Sequence, residues 1–462
     1  MATSASDALV LFGATGDLAY RKIFPAVQAL IRRHNLAVPV VAIGKATWGI
    51  ERLRERIAAS LRDFGDKADS HSRQVLLDSV RFVEGDYQDP ETFVRLATAL
   101  RGAARPLYYL AIPPSLFPTV IERLPADGDG FDSRVVVEKP FGRDLESARE
   151  LNRVLRARFA EASIFRIDHY LGKESVQNLM YFRFANSFLE PVWNRNFVAR
   201  VTISMTESFG VDGRGRFYEE VGAIRDVVQN HLLQVVAHVA MEPPASRAID
   251  SLRDEKLKVL QSVRSLAGRS LVRGQYLGYR TEPGVAPEST VETFAAMQLH
   301  LDSWRWSGVP FFLRTGKRLA DTATEVLVDL KEPPQAVFGE PAPPGANYFR
   351  FRLGPDRIAI AVGARAKKSG PEMVGRELEL FVHNGGEDEM SAYERLIGDA
   401  LRGDPTLFAR EDAVLESWRI IDPVLTMSTP LAMYEPGTWG PAKADGLGRQ
   451  CPAAIAATQP PT

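Results

Sequence analysis

The sequence has little of three features that would each indicate a particular class of protein. It has one cysteine, Cys451, so no internal disulfide can form and a reducing cytoplasm is the expected setting. The formal net charge of the 462 residues is -1, which favours neither nucleic acid nor an acidic membrane surface as a partner. No stretch approaches the roughly 18 uninterrupted apolar residues of a membrane span, and the N-terminus lacks the pattern of a signal peptide. We expect a globular protein of the cytoplasm.

The hydrophobic pattern divides the chain into two predicted domains. Short, nearly continuous apolar runs alternate with segments of helical spacing up to about residue 170, which indicates an α/β domain, 1–170, with a Rossmann-like doubly wound parallel sheet. Longer runs with alternating polarity follow, and they indicate an α+β domain, 171–450, built on a mostly antiparallel sheet. Residues 451–462 are small and proline-containing, which is typical of a loose tail.

A glycine pattern follows the first predicted strand. The segment LVLFGATGDLAYRK places Gly13, Gly16 and Ala19 in a G-x-x-G-x-x-A spacing between a strand and a helix. Glycines there let the backbone approach a pyrophosphate, and the helix N-terminus supplies free N–H groups. The pattern predicts dinucleotide binding, and the alternative is a tight turn with incidental glycines.

The end of the second predicted strand bears on which dinucleotide is bound. An acidic residue there would bind a ribose 2′-hydroxyl and favour NAD, but this strand ends in Gly44 and Lys45, with no acid before Glu51. A cation suits a 2′-phosphate, so we expect NADP and leave NAD open, because lysine is a mobile point charge. The alternative is that Lys45 is a solvated loop residue. At a later strand end, Lys139 could reach a substrate oxygen, although such a residue is more often part of a surface pair.

The segment FRIDHYLGKE concentrates polar groups before a predicted helix. It contains Arg166, Asp168, His169, Tyr170 and Lys173 within eight positions. Two cations, an imidazole and a phenol near a helix N-terminus can direct several donors at one anion. The segment therefore predicts a phosphate pocket.

The segment RDVVQNHLLQVVAHV, residues 225–239, has neither lysine nor glutamate, although a helix face towards solvent is normally charged. At 100° per residue, aliphatic side chains fill one arc, and the opposite arc contains Asp226, Asn230, His231, Gln234 and His238. Such an arc suits the wall of a polar site, where a neutral imidazole can act as a general base near pH 7. His231 is the candidate base, and Asp168 is a candidate carboxylate partner. His238 is more simply explained as a hydrogen-bonded core residue.

Several motifs together resemble the glucose-6-phosphate dehydrogenase family. They are GATGDLAYRK, EKPFG, RIDHYLGKE, GRGRFYEEVGAIRDVVQNHLLQ, FFLRTGKRL and AYERLIGDALRGDPTLFAREDAVLESWRIIDP, in the order of the family and over nearly the whole chain. The resemblance implies oxidation of D-glucose 6-phosphate to 6-phospho-D-glucono-1,5-lactone with hydride transfer to NADP, the first step of the oxidative pentose phosphate pathway. It also implies a homodimer or homotetramer and no metal site.

The resemblance assigns a role to each matching residue. His231 would take the proton from the sugar 1-hydroxyl, and Asp168 would orient that imidazole. Contacts to the 6-phosphate would come from His169, Tyr170 and Lys173, and contacts to the sugar hydroxyls from Lys139, Glu207, Asp226 and Lys317. The implied coenzyme site consists of Gly13, Gly16, Asp17, Leu18, Lys22, Lys45 and Lys139.

Two positions depart from the family pattern, and they leave room for a different function. Thr322 stands where the family commonly has a second basic residue, and Gly354 stands where it often has glutamine. A lost contact to a charged group costs about 1.5–3 kcal/mol, so the substrate could instead be a related sugar phosphate. An oxidoreductase of the glucose-fructose oxidoreductase type and a non-catalytic NADP-binding sensor are two further hypotheses. The RIDHYLGKE and NHLLQ motifs argue against the former, and the presence of His231 and Asp168 argues against the latter.

Overall fold

A computed structural model describes most of the chain. The described residues are 5–36, 38–45, 48–67, 69–124, 132–338, 347–354, 358–384, 390–427 and 429–447. Cys451 and the predicted tail, 451–462, lie outside these ranges. No helix within them combines the length and the apolar character that a membrane span requires.

The chain divides into two compact units. Unit 1 comprises Met1–Glu174, Arg247–Arg253 and Glu389–Leu415, and unit 2 comprises Ser175–Ser246, Asp254–Asp388 and Glu416–Thr462. The structure differs here from the predicted division at residues 170 and 171, because two later segments return to unit 1. For the segment Glu389–Leu415, the physical reason is apolar packing, since Leu396 and Ile397 are fully buried in the same core as Leu30.

α-Helices occur in both units. Their bounds are α1 Phe24–His34, α2 Ile50–Phe64, α3 Ser70–Ser79, α4 Pro90–Ala99, α5 Phe117–Arg123, α6 Leu145–Arg156, α7 Glu174–Ala185, α8 Gly215–Ala223, α9 Leu233–Ala240, α10 Ile249–Ser262, α11 Ala392–Arg402 and α12 Glu411–Leu425. Two π-helical segments occur at Ala19–Ile23 and Ile224–Leu232. Short 3-10 turns lie at Pro114–Leu116, Glu161–Ser163, Glu190–Val192, Gly268–Ser270, Tyr279–Thr281 and Ala442–Leu447.

Unit 1 contains a six-stranded parallel sheet. Its strands are β1 Ala8–Phe12, β2 Val40–Gly44, β3 Val80–Glu84, β4 Pro106–Leu110, β5 Arg134–Glu138 and β6 Ile164–Ile167. Their order is β3-β2-β1-β4-β5-β6, and every pair is parallel. β1, β2 and β4 are buried along their whole length, which explains their continuous apolar sequences. The predicted doubly wound sheet is confirmed, and its order reverses between β1 and β4, where such folds bind ligands.

Local side-chain caps fix where several helices of unit 1 begin. Asp144 accepts the N–H of Ser147 at 2.8 Å and closes a capping box at the start of α6. Asp89 accepts the N–H of Glu91 at 3.0 Å, next to the proline that begins α4. These caps satisfy backbone donors that a helix N-terminus leaves without partners.

Unit 2 contains a nine-stranded mixed sheet. Its strands are β7 Val198–Thr206, β8 Leu271–Tyr276, β9 Phe294–His300, β10 Pro310–Gly316, β11 Ala323–Leu330, β12 Tyr348–Gly354, β13 Ile358–Lys367, β14 Gly375–Asn384 and β15 Leu431–Tyr434. Their order is β14-β13-β12-β11-β7-β10-β9-β8-β15. Two neighbouring pairs, β7 with β10 and β8 with β15, are parallel, and the remaining pairs are antiparallel. The predicted α+β sheet is therefore confirmed as mostly antiparallel.

Candidate active site

The loop after β1 lies at the reversal of strand order in unit 1. Gly13 has a φ of +79°, and a Cβ added to it would lie 2.1 Å from the carbonyl oxygen of Ala111, after β4. Only glycine fits there, because its backbone packs directly against the backbone of Ala111. The Gly13 N–H also lies 3.0 Å from the phenolic oxygen of Tyr87, which fixes the loop.

The remaining residues of the predicted coenzyme site lie in this loop, in the helical region that follows it, and at the ends of β2 and β5. Asp17 and Leu18 begin the helical region, and the exposed Lys22 lies in the π-helical segment after them. Asp17 is 3.6 Å from the guanidinium of Arg56. Lys45, after β2, forms a 3.0 Å ion pair with Asp86, a residue that the sequence did not suggest for this site.

At the end of β5, Lys139 follows Glu138, whose carboxyl group has a raised pKa. Lys139 precedes Pro140 across a cis peptide bond. The preceding residue, Glu138, accepts a 2.6 Å hydrogen bond from the hydroxyl of Tyr109. Burial raises the pKa of Glu138 to about 7, although Tyr109, Lys139 and Tyr393 each oppose this shift. The carboxyl group therefore titrates near neutral pH next to a predicted substrate ligand.

The turn after β6 gathers three residues predicted to bind phosphate. The buried Asp168 accepts the N–H of Tyr170 at 3.0 Å, which closes the turn. The rings of His169 and Tyr170 are 5.1 Å apart between centroids, and the ammonium of Lys173 lies 3.7 Å from the Tyr170 ring centroid. An imidazole, a phenol and an ammonium group are thus held within one short segment.

Tyr393 of α11 joins this group, although sequence reasoning missed it. Its ring lies nearly parallel to that of His169, at 13°, with 6.3 Å between centroids. Its hydroxyl is hydrogen-bonded to Glu138, and burial raises the pKa of Tyr393. The AYERL motif contained this residue, but no local pattern indicated that it returns to the end of β6.

The structure corrects the prediction for Arg166, which the sequence placed in the phosphate pocket. Arg166 is 1% exposed, and its guanidinium binds Glu161 at 2.7 and 3.1 Å. The same guanidinium contacts Asn152 at 3.1 and 2.8 Å. Side chains alternate between the two faces of a strand, so Arg166 lies on the face of β6 opposite the core residues Phe165 and Ile167. On that face, Asn152 and Glu161 bind its guanidinium.

The segment that carries His231 in unit 2 is also different from the prediction. Residues 224–232 form a π-helix, in which bonds run from i to i+5, so the assumed 100° per residue does not apply there. The segment is buried on almost all sides, including the aliphatic residues, from Val228 to Met241. The amide and imidazole groups lie in the interior, as expected for groups that do not face bulk water, but a π-helix rather than an α-helix places those within residues 224–232 there.

Both histidines of this segment are buried. His231 is 4% exposed, and its backbone N–H donates to the Asn230 side chain at 2.6 Å. His238 is also buried, and its Nδ1 lies 2.8 Å from the carbonyl oxygen of Gln234. That bond is typical of a structural histidine. Asp226 is half-buried in the first turn of the π-helix.

Two predicted sugar contacts of unit 2 are direct partners. The ammonium of Lys317, after β10, forms an ion pair with the carboxylate of Glu207, after β7. Lys317 is 8% exposed, and its backbone is held by two bonds. Its N–H donates to Thr293 at 2.9 Å, and its carbonyl oxygen accepts from Tyr434 at 2.7 Å. The ammonium of Lys317 is a hydrogen-bond donor and the carboxylate of Glu207 an acceptor, and the ion pair fixes their positions.

The two positions that depart from the family pattern have distinct surroundings in unit 2. The Thr322 hydroxyl accepts the N–H of Ser208 at 2.9 Å and lies 2.8 Å from its hydroxyl. Thr322 thereby fixes the residue that follows Glu207. Gly354 ends β12 with a φ of +141°, next to a carbonyl of Leu353 that accepts from Ser175 at 2.8 Å. At this φ, glycine is strongly favoured over a residue with a side chain.

Two family models cover this chain almost completely. A model described as the NAD binding domain of glucose-6-phosphate dehydrogenase matches residues 10–178, and one described as the C-terminal domain matches residues 180–452. The chain belongs to the glucose-6-phosphate dehydrogenase family. This membership decides against an enzyme of the glucose-fructose oxidoreductase type.

Individual members of the glucose-6-phosphate dehydrogenase family match over nearly their full length. Glucose-6-phosphate 1-dehydrogenase 1 of Mycobacterium tuberculosis is 41% identical over 456 residues, which cover 96% of this chain and 95% of the relative. A crystal structure of the enzyme from Mycobacterium avium is 42% identical, with a TM-score of 0.89 and coverage of 96% and 97%. A family structure in complex with its substrate glucose 6-phosphate is 34% identical, with a TM-score of 0.89 and coverage of 97% and 98%.

Proposed function

We propose that the chain oxidises D-glucose 6-phosphate to 6-phospho-D-glucono-1,5-lactone, with NADP as hydride acceptor. Support comes from relatives that carry this activity in their names and from the similar structure bound to glucose 6-phosphate. The structural observation that carries the proposal is the turn 168–173, which holds His169, Tyr170 and Lys173 together. These donors suit a phosphate monoester, because a charged acceptor strengthens each hydrogen bond.

The residues of unit 1 fit a nicotinamide dinucleotide. The Ala111 carbonyl excludes a side chain at Gly13, and the loop leads directly into a helical region whose N-terminus would bind a pyrophosphate. A bound coenzyme of this class supplies the hydride acceptor. Lys45 would contact a 2′-phosphate, and its pairing with Asp86 leaves use of NAD open.

The proposal assigns the proton to His231. Oxidation of the sugar at C1 removes a hydride from carbon and a proton from the 1-hydroxyl, and a neutral imidazole can accept that proton. The bond between the His231 N–H and the Asn230 side chain fixes the backbone at this residue. We assign to Asp168 the role of orienting the imidazole and stabilising its charged form.

The proposal assigns the orientation of the sugar to the polar groups of unit 2 and to Lys139. Glu207 and Lys317 would contact hydroxyl groups as an acceptor and a donor, and Asp226 would accept a further hydrogen bond. Because their geometry exists before the substrate binds, little ordering is needed when it arrives. A cytoplasmic homodimer or homotetramer in the oxidative pentose phosphate pathway remains the prediction for the setting.

A rate assay tests the function directly. The formation of reduced coenzyme is followed with glucose 6-phosphate and either NADP or NAD. We expect turnover by the wild type and a loss of about 10²–10⁴-fold in kcat for His231→Asn. His238→Gln is the matched control, since it changes a second buried imidazole of the same helical region, and it should retain kcat within about tenfold. Equal rates with glucose and glucose 6-phosphate would contradict the phosphate-site assignment.

A second candidate is the oxidation of another sugar phosphate. The observation that favours it is Thr322, whose hydroxyl is used by Ser208 where the family commonly has a cation. Comparison of kcat/KM for glucose 6-phosphate, mannose 6-phosphate and glucosamine 6-phosphate decides between the two. The first proposal requires the highest value for glucose 6-phosphate.

A further inference from the structure

The ends of β2 and β3 bring Lys45 and Asp86 together. The Gly85 N–H donates to the carbonyl oxygen of Gly44 at 3.1 Å, so the backbone is still paired at the ends of these two strands. Lys45 follows Gly44 and Asp86 follows Gly85, and these two residues form an ion pair, with 3.0 Å between Lys45 Nζ and Asp86 Oδ2. Both side chains are about half exposed, so both are accessible to a bound coenzyme.

The position of Asp86 is fixed by its own turn. Its second carboxylate oxygen accepts the Gln88 N–H at 2.9 Å, and its carbonyl oxygen accepts the Thr92 hydroxyl at 2.8 Å. The amide of Gln88 and the ammonium of Lys45 lower the pKa of Asp86, so the carboxyl group is ionised at neutral pH. The carboxylate is therefore a negative charge in a defined place.

The turn that carries Asp86 is also attached to the glycine loop. The adjacent Tyr87 is 5% exposed, and its phenolic oxygen accepts the Gly13 N–H at 3.0 Å. The same hydroxyl lies 3.4 Å from the carbonyl oxygen of Ile43, just before the end of β2. Through Tyr87, the position of the Asp86 carboxylate is fixed relative to the glycine loop and to the end of β2, where such folds bind the ribose.

We propose that Asp86 is a specificity-determining residue that weakens the preference for NADP over NAD, because it competes with the 2′-phosphate for Lys45 and repels that phosphate. The inference rests on the proposed dinucleotide-dependent function. An acidic group near the ribose can accept a hydrogen bond from the 2′-hydroxyl of NAD. The end of β2 has no such acid in this sequence. Asp86 provides one from the end of β3, because β3 lies beside β2 in the sheet.

The size of the effect follows from the exposure of the pair. Exposed ion pairs contribute little because water and salt screen them, so a three- to tenfold change in selectivity is expected rather than a complete switch. For the same reason, the contribution of Asp86 should diminish as ionic strength rises. A purely structural role would not produce a salt-dependent change in selectivity.

The test is direct titration of NADPH and NADH, followed by coenzyme fluorescence and without sugar. For Asp86→Asn, we expect the ratio of the NADH to the NADPH dissociation constant to rise about three- to tenfold at low salt and less at high salt. Asp86→Ser, which keeps an acceptor for the Gln88 amide, should change the ratio in the same direction. Steady-state kcat/KM with NADP and NAD should follow the same order.

Glu91→Gln is the matched control, because it removes one negative charge from an exposed residue in the first turn of α4. An unchanged ratio in Asp86→Asn and Asp86→Ser overturns the proposal. An equal rise in Glu91→Gln also overturns it, since net charge would then explain the result. Failure of the dehydrogenase function is distinguishable, because it would abolish turnover of glucose 6-phosphate and leave the coenzyme titrations as they are.

Discussion

The hydroxyl of Tyr109 donates a 2.6 Å hydrogen bond to the carboxyl group of Glu138, one residue before Lys139. Burial raises the pKa of Glu138 to about 7, from a reference value of 4.5. Between these values, the folded protein holds a proton that the unfolded chain has released. The contribution of Glu138 to stability is therefore fully present below about pH 4.5 and is lost as the pH rises towards 7.

We predict that Glu138→Gln removes this pH dependence. The melting temperature of the wild type should fall between pH 5 and pH 8 by more than that of the variant, because glutamine does not titrate. Glu150→Gln is the control, since Glu150 is exposed and Arg153 lowers its pKa, so it stays ionised throughout this range. Parallel pH profiles for the wild type and Glu138→Gln would show that the carboxyl group has an ordinary pKa.

The ring and the hydroxyl of Tyr393 have separable effects. We predict that Tyr393→Leu raises KM for glucose 6-phosphate about three- to tenfold, because it removes the ring that lies against His169. Tyr393→Phe keeps the ring, so its KM should change less than about twofold. It should instead raise the pKa of Glu138, because the Tyr393 hydroxyl normally lowers it. Equal KM values for the two variants would contradict the role of the ring.

The local parts of this fold could be predicted because their signals lie close together in the sequence. Short apolar runs that alternate with segments of helical spacing correctly indicated the doubly wound sheet. Apolar continuity and alternation likewise distinguished the parallel from the antiparallel strands. The residues that the family resemblance named within the turn 168–173 are adjacent in sequence, so their clustering needed no tertiary information.

Other features depended on tertiary contacts or backbone geometry that a sequence pattern does not contain. Tyr393 reaches Glu138 only because α11 packs back onto unit 1. Asp86 meets Lys45 because β3 lies beside β2.

The π-helical segment changes the angle between successive residues, and the buried Arg166 is bound by Asn152 and Glu161. A helical wheel assumes α-helical geometry, so it could not show the π-helix. A cluster of polar residues in one segment could not show that Arg166 binds elsewhere.

Thr322 should affect substrate binding through Ser208. We predict that Thr322→Val lowers kcat/KM for glucose 6-phosphate about fivefold, mainly through KM. The variant loses about 1 kcal/mol of hydrogen bonding that fixes the residue after Glu207. Thr322→Ser keeps the hydroxyl and should stay within about twofold of the wild type. A fall of similar size in Thr322→Ser, which keeps the hydroxyl, would show that the hydrogen bond to Ser208 does not by itself explain the effect.

Gly222 interrupts the helical region just before the π-helix that carries His231. Its φ of 60° and ψ of -179° are almost restricted to glycine. A Cβ at this position would lie 2.5 Å from the carboxylate of Glu292. That carboxylate cannot move freely, since it accepts the Ile224 N–H at 3.2 Å and binds Arg273 at 3.0 Å.

We predict that Gly222→Ala destabilises the protein by about 1–3 kcal/mol from backbone strain, with a further loss from the displaced Glu292. It should also lower kcat, because the segment that positions His231 begins two residues later. Gly213→Ala is the matched control, since Gly213 also has a positive φ, of +79°, but no described atom lies within 4 Å of its added Cβ. Thermal unfolding and steady-state kinetics should show the larger fall in melting temperature, and a fall in kcat, for Gly222→Ala alone. Equal effects of both variants on melting temperature and kcat would show that the Glu292 contact does not position the π-helix.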